Sequence, residues 1–155
     1  AVYQISPAGF NLFSLSAGGL KMMTNTELRE RGMRLFNELY GNGAGEELRK
    51  DMADLCPDFT DISIEWAMGG ILARPGLDAK TRELVVIASC VTLGHTVPQL
   101  RAHAQAALNA GATREEIIEV VLQLLFYAGG AAVRNALVNI RDIINAELNV
   151  EAKMS

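Results

Sequence analysis

The feature that most constrains the fold is a capped apolar segment between residues 113 and 127. Thr113 and Glu116 have the spacing of a helix capping box, in which each side chain bonds the backbone N–H of the other residue. The segment that follows is apolar on nearly every face of a helix, so it must be covered on most sides. In a chain of 155 residues, this predicts a long helix through Tyr127 that is buried against a second subunit.

Further helices are predicted on both sides of this segment. Asp78 can cap a helix, Pro98 can open one, Gly111 can end one, and Gly129 with its glycine neighbour breaks the chain. Residues 79–92 are rich in Val and Ile, so a buried strand is an alternative there, but their length and the Asp cap favour a helix. We expect an all-α fold of about six helices, over residues 26–40, 59–72, 79–92, 99–109, 113–127 and 131–148, with a short helical pattern over 46–55.

The length and composition are those of one compact domain. Half of the 155 residues are hydrophobic, which is ample for a packed core. We expect a single helical domain over residues 23–150 and a tail over 151–155. Met22 and Met23 precede a polar helix start, so residues 1–22 are predicted to be an expression-derived or flexible extension. Those residues lack the basic start of a secretory signal.

Charge and cysteine content restrict the partners and the compartment. The net charge is −4, and the 14 basic side chains form no dense stripe, so nucleic acid and membranes are not expected partners. Cys56 and Cys90 lie 34 positions apart, which is neither a CxxC redox pair nor a zinc-ligand spacing. We therefore expect a reduced, cytoplasmic setting.

Both histidines of the chain, His95 and His103, lie in one short stretch between two apolar helix candidates. A histidine among apolar residues either has a hydrogen-bonding partner or takes part in chemistry. Glu83 and Cys90 share one face of the preceding predicted helix. A satisfied structural histidine remains the alternative for His103, and a surface salt bridge with Lys80 or Arg82 remains the alternative for Glu83.

Several segments in this order resemble the carboxymuconolactone decarboxylase family: RPGL at 74–77, LGH at 93–95, LRAH at 100–103, NAGAT at 109–113 and FYAGG at 126–130. The resemblance implies the all-helical fold shared with alkylhydroperoxidase D, assembled as a homo-oligomer, usually a trimer or hexamer. It also implies a small-molecule substrate, a carbon–carbon lyase activity as in aromatic-compound degradation, and no cofactor.

Decarboxylation of a carboxylated lactone sends electrons into the lactone carbonyl, so the protein must hold the carboxylate and return a proton to carbon. His103 is the predicted general acid and base. Glu83 is expected to orient it or exchange a proton with it. His95 is expected to contact the substrate, and a solvent-exposed loop residue is the alternative for this histidine. These three could also be considered as metal ligands, but their spacing matches no established motif, so no metal is predicted.

Three further residues are predicted to bind the substrate. Arg74 and Arg82 are candidate clamps for its carboxylate, because a guanidinium group can make two parallel hydrogen bonds. Either arginine could instead hold the local turn through an ion pair. Cys90 is expected to line the same site.

Two alternatives and several departures accompany the resemblance. The peroxidase branch combines a Glu, a CxxC pair and a His; this chain has Glu83 and His103 but no such pair, so an antioxidant would have to use Cys90 alone. A non-catalytic helical oligomer is the other alternative. The chain also departs from the decarboxylase pattern at residues that leave the substrate open: Gly70, Leu72 and Gln123.

Overall fold

The computed structural model describes residues 13–16, 19–22 and 25–146. The chain divides into two compact units, one formed by residues 1–37 and 41–76 and the other by residues 38–40 and 77–155. Of the predicted extension over residues 1–22, only two short strands are described. The predicted tail over 151–155 lies outside the described residues.

The first unit contains a hairpin and a series of helices. Strands β1 (Phe13–Ser16) and β2 (Gly19–Met22) pair in antiparallel register. The predicted helix over residues 59–72 is confirmed in extent, but most of it is a π-helix, which the apolar pattern does not distinguish from an α-helix. The helical elements are α1 (Asn25–Tyr40), whose last three residues belong to the second unit, α2 (Ala44–Asp51), α3 (Asp58–Ile62) and the π-helix (Ser63–Leu72).

Two glycines allow α1 and the π-helix to approach closely within the first unit. A Cβ atom on Gly32 would overlap the carbonyl oxygen of Ile64, and one on Gly69 would overlap the carbonyl oxygen of Leu28. The two backbones therefore meet with no room for a side chain between them. A larger residue at either position would force the helices apart.

The second unit consists of the end of α1 and four further helices. The Asp78 side chain accepts a hydrogen bond from the backbone N–H of Thr81 at 2.7 Å, and Thr113 and Glu116 form the predicted capping box. The predicted helix over residues 79–92 and the all-α class are thus confirmed. The helices are α4 (Ala79–Leu93), α5 (Val97–Asn109), α6 (Arg114–Leu122) and α7 (Leu125–Ile144).

The prediction of one long helix through Tyr127 is wrong. Helix α6 ends at Leu122 and α7 begins at Leu125. The two residues between them keep backbone angles close to helical, so the apolar periodicity continues across the turn and hides it. Within α7 the backbone at Gly129 is not helical, with φ 82° and ψ 158°, so the helix is kinked there. This is the position of the predicted break in the chain.

Aliphatic side chains from α4, α5, α6 and α7 form the core of the second unit. Among the described helices, none combines the length and the apolar character needed to cross a membrane. Glu83 is an acidic side chain that is buried in this unit. The core side chains with the least exposure are Ile87, Val91, Ala104, Ala107, Ile117, Val121 and Ile140.

Candidate active site

The candidate site is built around Glu83 on α4. Helical spacing places Glu83 on the same buried face as Ile87 and Cys90, as the sequence predicts, and the Glu83 residue is 0% exposed. The alternative of a surface salt bridge for Glu83 is therefore wrong. Lys80 instead pairs with Glu116, Nζ to Oε1 at 2.9 Å.

His103 on α5 provides the partner of this carboxylate. Its Nδ1 lies 2.7 Å from Glu83 Oε2, a short distance typical of a charge-assisted hydrogen bond. The His103 side chain is 20% exposed, whereas that of Glu83 is 1% exposed. The pair therefore has a buried carboxylate and an imidazole that solvent or a small molecule can reach.

Tyr40, at the end of α1, is a third member that the sequence analysis missed. Its hydroxyl oxygen lies 3.0 Å from the same Nδ1 atom of His103, and the two rings meet edge to face with centroids 5.9 Å apart. Asn109 on α5 holds the end of α1 in place, because its side-chain amide donates to the Leu39 carbonyl at 2.7 Å. The sequence contains only a weak signal for this role: Tyr40 is an aromatic residue with a polar hydroxyl group in the last turn of an amphipathic helix.

The surroundings of the cluster change the titration of one member, Tyr40. Burial, followed by the nearby Glu83 carboxylate and Cys90, raises the pKa of Tyr40 well above its usual range, so the phenol keeps its proton at neutral pH. The hydrogen on Nδ1 of His103 is donated toward Glu83 Oε2, since this carboxyl oxygen lies closer to Nδ1 than the Tyr40 hydroxyl oxygen does. Glu83 Oε1 is buried, and no hydrogen-bond partner for it exists among the described residues.

This arrangement leaves Nε2 as the reactive ring atom of His103. Nδ1 is occupied by Glu83 and Tyr40, and a hydrogen bond to Nε2 is absent from the described part of the chain. A buried carboxylate behind an imidazole fixes its tautomer and stabilises its doubly protonated form. The cluster can thus accept or deliver a proton at Nε2.

Cys90 lies on the same face of α4 as Glu83, close enough to Tyr40 to affect its titration. It is buried and lines a cavity of about 40 Å³ together with Thr96, Asn135 and Asn139. That volume holds no more than a few water molecules. The predicted lining role of Cys90 stays a prediction.

The other predicted residues have different surroundings. His95 is exposed in the turn after α4, and its Nδ1 lies 2.9 Å from the Leu93 carbonyl oxygen. Arg82 donates through Nε to the Leu77 carbonyl at 3.2 Å, and Arg74 is an exposed residue of the first unit. No group of three His, Cys, Asp or Glu side chains within the described residues is arranged to hold a metal ion.

The sequence model of the carboxymuconolactone decarboxylase family matches residues 57–139. The chain belongs to this family. Glu83 and His103 lie inside the matched residues, whereas Tyr40 precedes them. The family match therefore includes the carboxylate–imidazole pair of this decarboxylase family member but not its third residue.

Individual relatives extend the comparison over most of the chain. The 4-carboxymuconolactone decarboxylase of Acinetobacter baylyi is 30% identical over 128 residues, which cover 83% of this chain and 94% of that protein. The nitrosuccinic acid decarboxylase npaB of Metarhizium robertsii is 30% identical over 131 residues, which cover 79% and 87%. An uncharacterised 15.0 kDa protein of Paracoccus denitrificans is 39% identical over 87 residues, which cover 56% and 65%.

Proposed function

We propose that this protein is a cofactor-independent decarboxylase that acts on 4-carboxymuconolactone or a related small lactone or carbonyl acid. The observation that carries the proposal is the buried Glu83 carboxylate, 2.7 Å from Nδ1 of the partly exposed His103. Two relatives, the Acinetobacter baylyi and Metarhizium robertsii proteins, are decarboxylases by name, which agrees with this type of reaction.

The reaction needs an electron sink and a proton donor. Loss of CO₂ breaks the bond between the carboxylate carbon and the ring carbon, and its electron pair moves into the conjugated lactone carbonyl. The resulting dienolate then takes up one proton at carbon. The substrate supplies its own electron sink, so the protein has to supply the proton and hold the carboxylate.

His103 would deliver this proton from Nε2, the ring atom not held by Glu83 and Tyr40. Glu83 would stabilise the imidazolium that exists before transfer, and water would restore the proton afterwards. Tyr40 acts through His103 as a positioning residue, since its hydroxyl contacts the same nitrogen as Glu83. Because ring orientation determines where Nε2 points, both residues would affect kcat more than KM.

Binding of the substrate carboxylate is assigned to an arginine. Arg82 precedes Glu83 directly on α4, and its Nε bond to the Leu77 carbonyl anchors the side chain at the start of that helix. Arg74 and His95 remain additional candidates for substrate contact. Neutralising Arg82 with Gln would raise KM if the arginine binds the carboxylate, with a smaller effect on kcat.

We also propose that the protein works as a homo-oligomer, a trimer or hexamer. Phe126 is 95% exposed and Tyr127 is 87% exposed at the start of α7, next to the exposed Leu122 and Leu125. Burying one such aromatic side chain stabilises an interface by about 1.5–3 kcal/mol. Sedimentation velocity should show an assembly that Phe126→Glu dissociates; a wild-type monomer at micromolar concentration would contradict this proposal.

The test of function is release of CO₂ and formation of the enol-lactone when purified protein is mixed with 4-carboxymuconolactone. His103→Asn should abolish turnover while leaving helicity and assembly unchanged, and Gln105→Ala, on an exposed position of the same helix, should leave turnover intact. Absence of turnover by the wild type would remove the substrate assignment.

The same preparation distinguishes the alternatives. Thiol-dependent peroxide turnover that Cys90→Ser abolishes would indicate an antioxidant instead. Absence of both activities across a panel of small lactones and carbonyl acids would favour a non-catalytic oligomer.

A further inference from the structure

The second unit also has a groove on its surface, formed by helices α6 and α7. This groove of about 440 Å³ runs between the start of α6 and the second half of α7. Three arginines line it: Arg114, Arg134 and Arg141. This volume is within the usual range of small-molecule sites.

Two of the three arginines have a positive charge that no carboxylate among the described residues pairs with. Arg134 and Arg141 are exposed, and neither has an ion pair with a carboxylate among residues 25–146. Arg114 has one ion pair, a 3.4 Å contact with the exposed Glu115. Its Nε also donates a hydrogen bond to Asn145 Oδ1 at 2.9 Å, and this partner is neutral. Three guanidinium groups facing one groove repel each other unless an anion lies between them.

The spacing of the charges indicates more than one anionic group. Arg134 and Arg141 are seven residues apart on α7, so they lie on one face, separated by about 10 Å along the helix axis. Arg114 approaches from α6 near the Arg141 end, because its partner Asn145 lies one turn beyond Arg141. A ligand with an anionic group at each end would contact arginines at both ends of the groove.

Between the charges the groove is apolar. Ile118 on α6 and Leu137, Val138 and Ile144 on α7 line it. A hydrated inorganic anion would gain nothing from these side chains, whereas a hydrocarbon body would bury surface against them.

We propose that this groove binds a small organic dicarboxylate with an apolar body. None of its lining residues belongs to the Glu83–His103–Tyr40 cluster. The inference does not rest on the proposed function, and failure of either one leaves the other standing.

The experiment uses terephthalate as the probe, measured by calorimetry and by the shifts of isotope-labelled Ile118 and Ile144 methyl groups in the full chain. Terephthalate should bind saturably and shift these methyl groups. Arg134→Gln and Arg141→Gln should each weaken binding about fivefold, and the double variant about twentyfold. Arg34→Gln, which removes an exposed arginine of α1, should change binding less than twofold.

Two ligand controls separate a built site from simple charge attraction. Benzoate, with one carboxylate, should bind about fivefold more weakly than terephthalate, and inorganic phosphate should bind more weakly still. Equal affinity for phosphate and terephthalate, an equal loss in Arg34→Gln, or no saturable binding of terephthalate at millimolar concentration would each overturn the proposal.

Discussion

Replacing Glu83 by Gln tests whether the buried carboxylate acts on the reaction or only on the fold. The substitution keeps the size of the side chain and can keep an oxygen 2.7 Å from His103 Nδ1, but it removes the negative charge. Charged hydrogen bonds contribute about 1.5–3 kcal/mol. At about 1.36 kcal/mol per tenfold change in rate, kcat should fall by roughly 10- to 150-fold, while KM stays within about threefold.

Stability should respond differently from activity. Glu83 Oε1 has no hydrogen-bond partner among the described residues, so the folded protein already carries the cost of burying this charge. A neutral amide lowers that cost while losing the attraction to the imidazole. The two effects oppose each other, so the free energy of unfolding should change by no more than about 1 kcal/mol and the Tm by no more than about 4 °C.

The assay pairs steady-state CO₂ release with thermal unfolding followed by circular dichroism. Glu119→Gln removes an exposed glutamate of α6 and should leave both kcat and Tm unchanged. The reasoning is refuted if Glu83→Gln keeps kcat within twofold of the wild type. A large fall in Tm that accompanies the loss of activity would show that Glu83 is primarily structural.

Three further predictions concern the cluster, an ion pair and a helix crossing. Tyr40→Phe should lower kcat about three- to tenfold with little change in KM, because the contact between the tyrosine hydroxyl and Nδ1 of His103 is lost, while Tyr127→Phe should have no effect on either constant. Asp142→Asn should lower the free energy of unfolding at neutral pH, because a bidentate pair with a guanidinium on α5 holds the pKa of this carboxyl at about 2, below its ordinary value of 3.8. Gly69→Ala should lower the free energy of unfolding by about 3 kcal/mol, because its Cβ would overlap a carbonyl oxygen of α1, whereas Gly130→Ala, with 3.9 Å to its nearest neighbour, should be neutral or slightly stabilising.

The contacts also determine the pH dependence expected for Asp142 and the results that would contradict each of these three predictions. A carboxyl whose folded pKa is lowered contributes stability above its ordinary pKa, and the contribution is lost as pH falls from about 3.8 toward 2. Urea titrations of wild type and Asp142→Asn should therefore converge over that interval, and a constant gap would contradict the pairing. Equal effects of Tyr40→Phe and its tyrosine control on kcat would exclude a positioning role. A Gly69→Ala protein as stable as the wild type would show that the helices do not cross this closely.

The starts of helices α4 and α6 were predictable because capping is local. Asp78 and the pair Thr113 and Glu116 bond backbone groups within three residues, so their positions in the sequence already specify the geometry. The turn between α6 and α7 was not predictable, because the residues there keep nearly helical angles and no glycine or proline marks it. The π-helix was missed for a different reason: its apolar pattern resembles that of an α-helix.

By itself, the sequence determined the helical class and the family, and it indicated that Glu83 and His103 belong together. Periodicity, caps and short motifs depend on residues that are close together in the sequence, so they can be identified without the tertiary structure. Tertiary structure alone decided that Glu83 is buried rather than paired at the surface with Lys80, and that Tyr40 joins it on His103 from 63 positions away. Burial and long-range hydrogen bonds depend on which helices pack together, and no local pattern encodes that.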